Sequence, residues 1–268
     1  MPWTIKNLKL RALAAFKANY WPCVAVALLG VFVGGGANGC FNGTFKTSVG
    51  SVDPDMFAWF AIGIGILFVL ASFLLRLLLI NPLGVGCANF FVQNTSAKAD
   101  FNTVAAPFRT WKRVVKTMFL RDLYLSLWAV APILLGSVLT FLFFHFFHNP
   151  STAEVPDFDP LTPALLLLVF LIPFFVKCYS YRLVPYLLAD DPALSGRAAI
   201  TRSRALMDGH KGHTFLLDLS FVGWYILGVL TFGILLVFRV GPHVLATGAE
   251  LYRALSAPPP TPTPPPLP

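Results

Sequence analysis

Residues Met56–Ile80 run MFAWFAIGIGILFVLASFLLRLLLI, 25 positions with a single charge, Arg76, close to the end. A helix rises about 1.5 Å per residue, so this stretch reaches roughly 37 Å and can cross a bilayer core some 30 Å thick. It is apolar around its whole circumference and predicts a membrane span, since a helix at a soluble surface needs one polar face. Leu123–Phe147 and Thr214–Phe238 repeat the pattern, with Asp218 the one charged residue in the pair.

Working outward from these three, the apolar runs predict six spans, at Asn19–Gly36, Met56–Ile80, Met118–Phe147, Pro163–Leu188, Thr214–Phe232 and Ile234–Leu255. Five is the alternative, with Thr214–Phe238 as one span followed by a surface helix, but Gly233 and Gly241-Pro242 interrupt the run and permit a tight hairpin or kinks in a longer helix. The expected fold class is all-α, a polytopic helical membrane bundle over residues 1–256. From 257 to 268 the composition turns to proline, which excludes helix and sheet and marks an extended tail.

Composition agrees. The chain has 268 residues, of which 56% are hydrophobic and 12% charged, with a mean hydropathy of +0.71. Soluble domains carry roughly 25% charge, so a water-exposed globule is excluded. The net charge of +8 suggests nucleic acid only until the charges are located. One side collects Lys6, Lys9, Arg11 and Lys17, then the run from Lys98 to Arg121, then Arg197, Arg202, Arg204 and Lys211. The other has Lys46 and Arg239, with Glu154, Asp157 and Asp159 in its loop. Positive charge stays in the cytoplasm, so the N-terminus is expected inside and the charge needs no nucleic-acid partner. The segment Ile5–Leu13, with apolar residues at helical spacing and basic residues between them, is expected to lie on the bilayer as an interfacial helix feeding a retained first span; cleavage after Gly36 or Ala37 is the competing reading.

A threefold pattern accompanies the spans. Each returning span has a proline, Pro82, Pro173 and Pro242, with a small residue five positions on, Cys87, Cys178 and Thr247. The expectation is three related hairpins whose broken helices converge on the cytoplasmic side.

Four cysteines, three in apolar runs and Cys40 in an outer loop, supply no disulfide framework. His145 with His148, and His210 with His213, lack the converging ligands a metal needs. No nucleophile, paired-carboxylate or phosphate-loop motif is present, so neither enzyme activity nor a cofactor is expected. Charges near the spans carry more information. Asp122 is expected to pair with Arg121, Asp218 with Lys177 or Arg182, and Glu250 with Arg253. Lys177, Arg182, Asp218 and Glu250 together form a candidate polar cluster at the cytoplasmic mouth, with helix pinning preferred over transport. Between Asp190 and Lys211, Ser195 can cap and Gly209 can end a surface helix. Its Arg197, Arg202 and Arg204, with Lys211, are candidate lipid-surface contacts while Ala198, Ile200, Leu206 and Met207 face the bilayer.

The run Ser203-x-x-x-Met207-x-Gly209-x-Lys211, followed by Leu219-Ser220-Phe221-Val222-Gly223-Trp224, resembles the bacterial multi-pass membrane family catalogued as domain of unknown function 975. Tyr179-x-Tyr181, Ala189-Asp190-Asp191-Pro192, Asn19-Tyr20-Trp21 and the later Pro242 and Tyr252 extend the likeness over most of the chain. Pro173-Phe174-Phe175 and Pro242-His243 depart from the family's Pro-Gly-Ile and Pro-Tyr. The resemblance implies an integral protein of the bacterial inner membrane and supplies no reaction. The expected role is a non-enzymatic accessory or assembly factor working through membrane lipids and unidentified membrane proteins. The alternative is a small transporter or permease.

Overall fold

The computed structural model describes residues 3–31, 54–147, 161–191 and 193–257. Cys40, Lys46, His148, the acids of the Asn149–Thr162 loop, Pro192 and the proline tail from 258 lie outside them, as does the side chain of His145. All described elements are helical.

The elements are α1 (Ile5–Ala18), α2 (Tyr20–Val31), α3 (Pro54–Leu75), a π-helical turn (Arg76–Ile80), α4 (Asn81–Asn94), a 3₁₀ helix (Phe101–Thr110), α5 (Trp111–Phe147), α6 (Leu161–Ser180), α7 (Val184–Asp190), α8 (Gly196–Met207), α9 (Lys211–Leu219), α10 (Val222–Leu230), a second π-helical turn (Leu236–Val240) and α11 (Gly241–Ser256). Thr4 caps α1 by accepting from the Asn7 amide, and Ser195 caps α8 by accepting from Ala198. Gly209 follows α8 with φ +72°, the left-handed conformation that ends a helix without a Cβ clash. After α10, Phe232 donates to Val229 and Gly233 to Gly228, a Schellman closure with both residues at positive φ. Residues 234–240 then run back against α10, where Leu236 fills the space left by the missing side chain of Gly228.

Three hairpins result, and they close into a ring. Each has a short leading element (α1, the 3₁₀ helix, α8), an outgoing helix (α2, α5, α9–α10) and a return that ends in a buried helix (α4, α7, α11). Each leading element packs on the buried return of the preceding hairpin: α1 on α11, the 3₁₀ helix on α4, α8 on α7. Outgoing helices follow the same order, α2 on α11, α5 on α4 and α9 on α6.

Proline begins all three buried returns, at Pro82, Pro185 and Pro242. The counterpart of Pro82 and Pro242 is therefore Pro185, not the expected Pro173, which lies inside α6. Proline lacks an N–H and frees the carbonyl four residues back. Trp111 Nε1 donates to the carbonyl freed at Leu78, 3.0 Å away, and the Tyr20 hydroxyl to that at Phe238, 3.2 Å. In both places the preceding residue's amide reaches five back, Asn81 to Arg76 and Gly241 to Leu236, which creates the π turn. At the third junction the buried Ser203 hydroxyl donates to Ser180, the last carbonyl of α6, at 2.8 Å. Every one of these donors comes from the next hairpin in the ring.

The hydrophobic core sits in this hub, around Phe16, Phe90, Phe91, Leu183, Leu187, Met207 and Tyr252. Away from it the helices expose apolar side chains. Leu67, Val69, Leu134, Phe141, Val229 and Leu230 are each more than half exposed, and Phe232 is 98% exposed at the third tip. Three helical stretches, Gly63–Asn94, Phe101–Leu139 and Lys211–Leu230, are long and apolar enough to span a membrane. α1 and α2, bent by 109°, make a fourth if counted as one. This count among the described residues falls short of the six expected.

Two expected bilayer faces are already occupied by protein. In α1, Leu8, Ala12 and Phe16 are spaced on one stripe and buried in the hub, as are Ala199, Ile200 and Met207 of α8. Helical spacing reports that a face is covered and is silent about what covers it.

Candidate functional site

The polar groups of the hub sit where helices break, because broken helices leave backbone groups that need partners. Arg182 follows α6 at such a break. Its guanidinium grips Asp218 of α9 through both nitrogens, Nη2 to Oδ1 at 3.0 Å and Nη1 to Oδ2, while the Tyr179 hydroxyl donates to Oδ2 at 2.9 Å. A bidentate pair with a third donor is a strong, directional clasp. It ties the second hairpin to the third.

The other two members of the expected cluster lie apart from this clasp. Lys177 places its ammonium 4.4 Å over the Trp128 ring and makes no ion pair with Asp218. Glu250, 2% exposed on α11, has Oε2 2.9 Å from Arg11 Nη2 of α1. That contact has no hydrogen-bond alignment and leaves Oε2 without a hydrogen-bond partner among the described residues. Burial pushes the Glu250 carboxyl above its ordinary range, against Arg11 and then Arg253. The expected partner, Arg253, instead reaches Asp190 at 3.8 Å, which also accepts from the Tyr252 hydroxyl at 2.7 Å. Burial and that bond both raise the Tyr252 hydroxyl.

Arg121 and Asp122 do pair, at 2.9 Å through Nε and 2.6 Å through Nη2, and Asn81 of α4 donates to the other carboxylate oxygen at 3.0 Å. On α8, Arg197, Arg202 and Arg204 are exposed, whereas Lys211 leans 3.6 Å from Asp208. No group of three or more His, Cys, Asp or Glu among the described residues is placed to hold a metal.

A buried asparagine set went unnoticed in the sequence. Asn94 donates to the Ala15 carbonyl at 3.0 Å and accepts from Asn19 at 2.9 Å, and Asn19 also donates to Ala99 at 2.9 Å. This clasp holds the bend between α1 and α2. The available signal was the row Asn81, Asn89, Asn94 within an otherwise apolar segment, since amides buried there need partners.

A family model described as "Protein of unknown function (DUF975)" matches residues 48–258. The chain belongs to that family. The match takes in the Arg182–Asp218 clasp, the second and third hairpins and all three proline-started returns. No curated protein and no solved structure matches the chain.

Proposed function

We propose that this family member is an integral protein of the bacterial inner membrane that acts through lipid and protein contacts, without catalysis. The observation that carries the reading is the division between hub and arms. Exposed aliphatic and aromatic side chains line α3 from Ile64 to Leu74, α5 from Leu123 to Leu142, and α10, and lipid is the solvent in which such a surface costs nothing. The basic leading elements, with Lys6, Arg11 and Lys17 on α1 and Arg197, Arg202 and Arg204 on α8, lie at the hub end. That supports a cytoplasmic hub and N-terminus by the positive-inside rule.

Asp122 and Asp218, the acids closest to the arms, are each held by an arginine and a second donor. Groups so engaged pin helices, which favours a structural over a transport role. The test is to substitute Asp218→Asn. Loss of folded, monodisperse protein in detergent supports pinning; a variant as stable as the parent would contradict it and favour a permease. Membrane residence has its own check, since the protein should stay in the pellet after alkaline carbonate washing. Release into the supernatant would refute it.

A further inference from the structure

Beside the first π turn, α3 parts from α5 and α6 and leaves a cleft of about 650 Å³, within the roughly 300–1,000 Å³ usual for ligand sites. Its walls are Phe73, Phe119, Leu123 and Phe174, and its polar end carries Arg76 and Asp122. Asp122 is spoken for, because Arg121 takes one carboxylate oxygen and Asn81 the other. The Arg76 guanidinium is exposed and makes no hydrogen bond or ion pair with any described residue. The cleft therefore joins an apolar slot to one spare guanidinium, and with Arg121 alongside its polar end bears net positive charge.

We propose that this cleft binds an anionic phospholipid, with the phosphate on Arg76 and an acyl chain lying against Phe73, Phe119 and Phe174. The proposal rests on the reading that the arms lie in a bilayer. A guanidinium at the end of a 22-residue apolar helix is costly in lipid unless it meets a headgroup. Phe73, Phe119 and Leu123 are each at least 40% exposed, so the slot opens sideways, where lipid chains arrive. A cationic ligand would meet the unpaired Arg76 and a carboxylate already neutralised by Arg121. A small soluble anion would find nothing along the apolar walls, and a partner helix needs an interface far larger than this slot.

The test is thermal unfolding of the detergent-solubilised full chain with added phosphatidylglycerol, phosphatidylcholine or inorganic phosphate. Phosphatidylglycerol should raise Tm by several degrees more than phosphatidylcholine, and phosphate should do nothing. Arg76→Gln should keep the parent Tm without lipid and lose the difference between the two lipids. Arg197→Gln with Arg204→Gln should retain it, which separates the cleft from general attraction to the basic side. Equal shifts by both lipids, a preference that survives Arg76→Gln or disappears with the α8 pair, or stabilisation by phosphate alone would each overturn the site. Solubility without detergent would instead overturn the membrane reading on which the site depends.

Discussion

Trp111 and Tyr20 each donate to a carbonyl that a proline has released, at junctions exposed on the protein's surface, and a carbonyl left without a partner against lipid costs more than the bond that satisfies it gains. Trp111→Phe and Tyr20→Phe keep most of each ring and remove the donor. Each should lower stability in detergent by about 1 kcal/mol, and the double variant should show the sum, since the two junctions share no partner. An unchanged Tm in both would mean that water already serves those carbonyls. Glu250 gives a prediction in pH. Its carboxyl is raised in the folded chain, so the folded state binds the proton more tightly than the unfolded one. Stability contributed by the protonated form is present at and below the ordinary carboxylate range and falls as pH rises toward the raised value. Glu250→Gln should flatten that limb of the Tm against pH curve; an identical slope in the variant would reject the assignment. The pairing of Arg121 with Asp122 was legible in the sequence because depth and charge sign left few choices, and that of Asp218 was narrowed to Lys177 or Arg182, between which only the packing decides. Arg11 as the neighbour of Glu250 was not, because α1 and α11 are 200 residues and more apart and meet only through the closing of the ring.

Among the elements, α4 is the one the others are built against, and close approaches to one glycine on α4 and one on α11 record how tightly the hub is packed. A Cβ on Gly86 would overlap the Val104 carbonyl oxygen, a backbone atom that cannot swing away, and one on Gly248 would overlap the Tyr186 hydroxyl. Gly86→Ala should therefore displace the 3₁₀ helix and cost about 1–3 kcal/mol, the range for overpacking a close contact. Gly212→Ala, in open space, is the control expected to leave Tm within error. A Gly86→Ala protein as stable as that control would show that the 3₁₀ helix is not seated as described. The helical class, the cap at Ser195, the stop at Gly209 and the breaks near Gly233 and Pro242 are local chemistry, and the sequence carries them plainly. The pairing of Pro82 and Pro242 with Pro185 was hidden, because Pro173 has the matching spacing to a small residue while Pro185 has the matching place at the start of a buried helix. Spacing along a chain does not report which turn meets its neighbour.

At the scale of the molecule, a hub of short, capped, proline-started helices closes three hairpins into a ring, and apolar arms leave it with much of their described surface exposed. The stretches long enough to be spans are legible from length and hydropathy. The hub was less so, since α1 and α8 show the same amphipathic pattern whether lipid or protein takes the apolar face, and only tertiary packing decides between them. The central claim is that lipid solvates the arms while water reaches the basic faces of the hub. Spin labels placed by Leu67→Cys, Leu134→Cys and Arg197→Cys in protein reconstituted into vesicles, with the native cysteines accounted for by an unsubstituted control, measure this by collision rates with oxygen and with a water-soluble nickel chelate. The two arm labels should relax mainly with oxygen and the Arg197 label mainly with nickel; arm labels that respond chiefly to nickel would contradict the account.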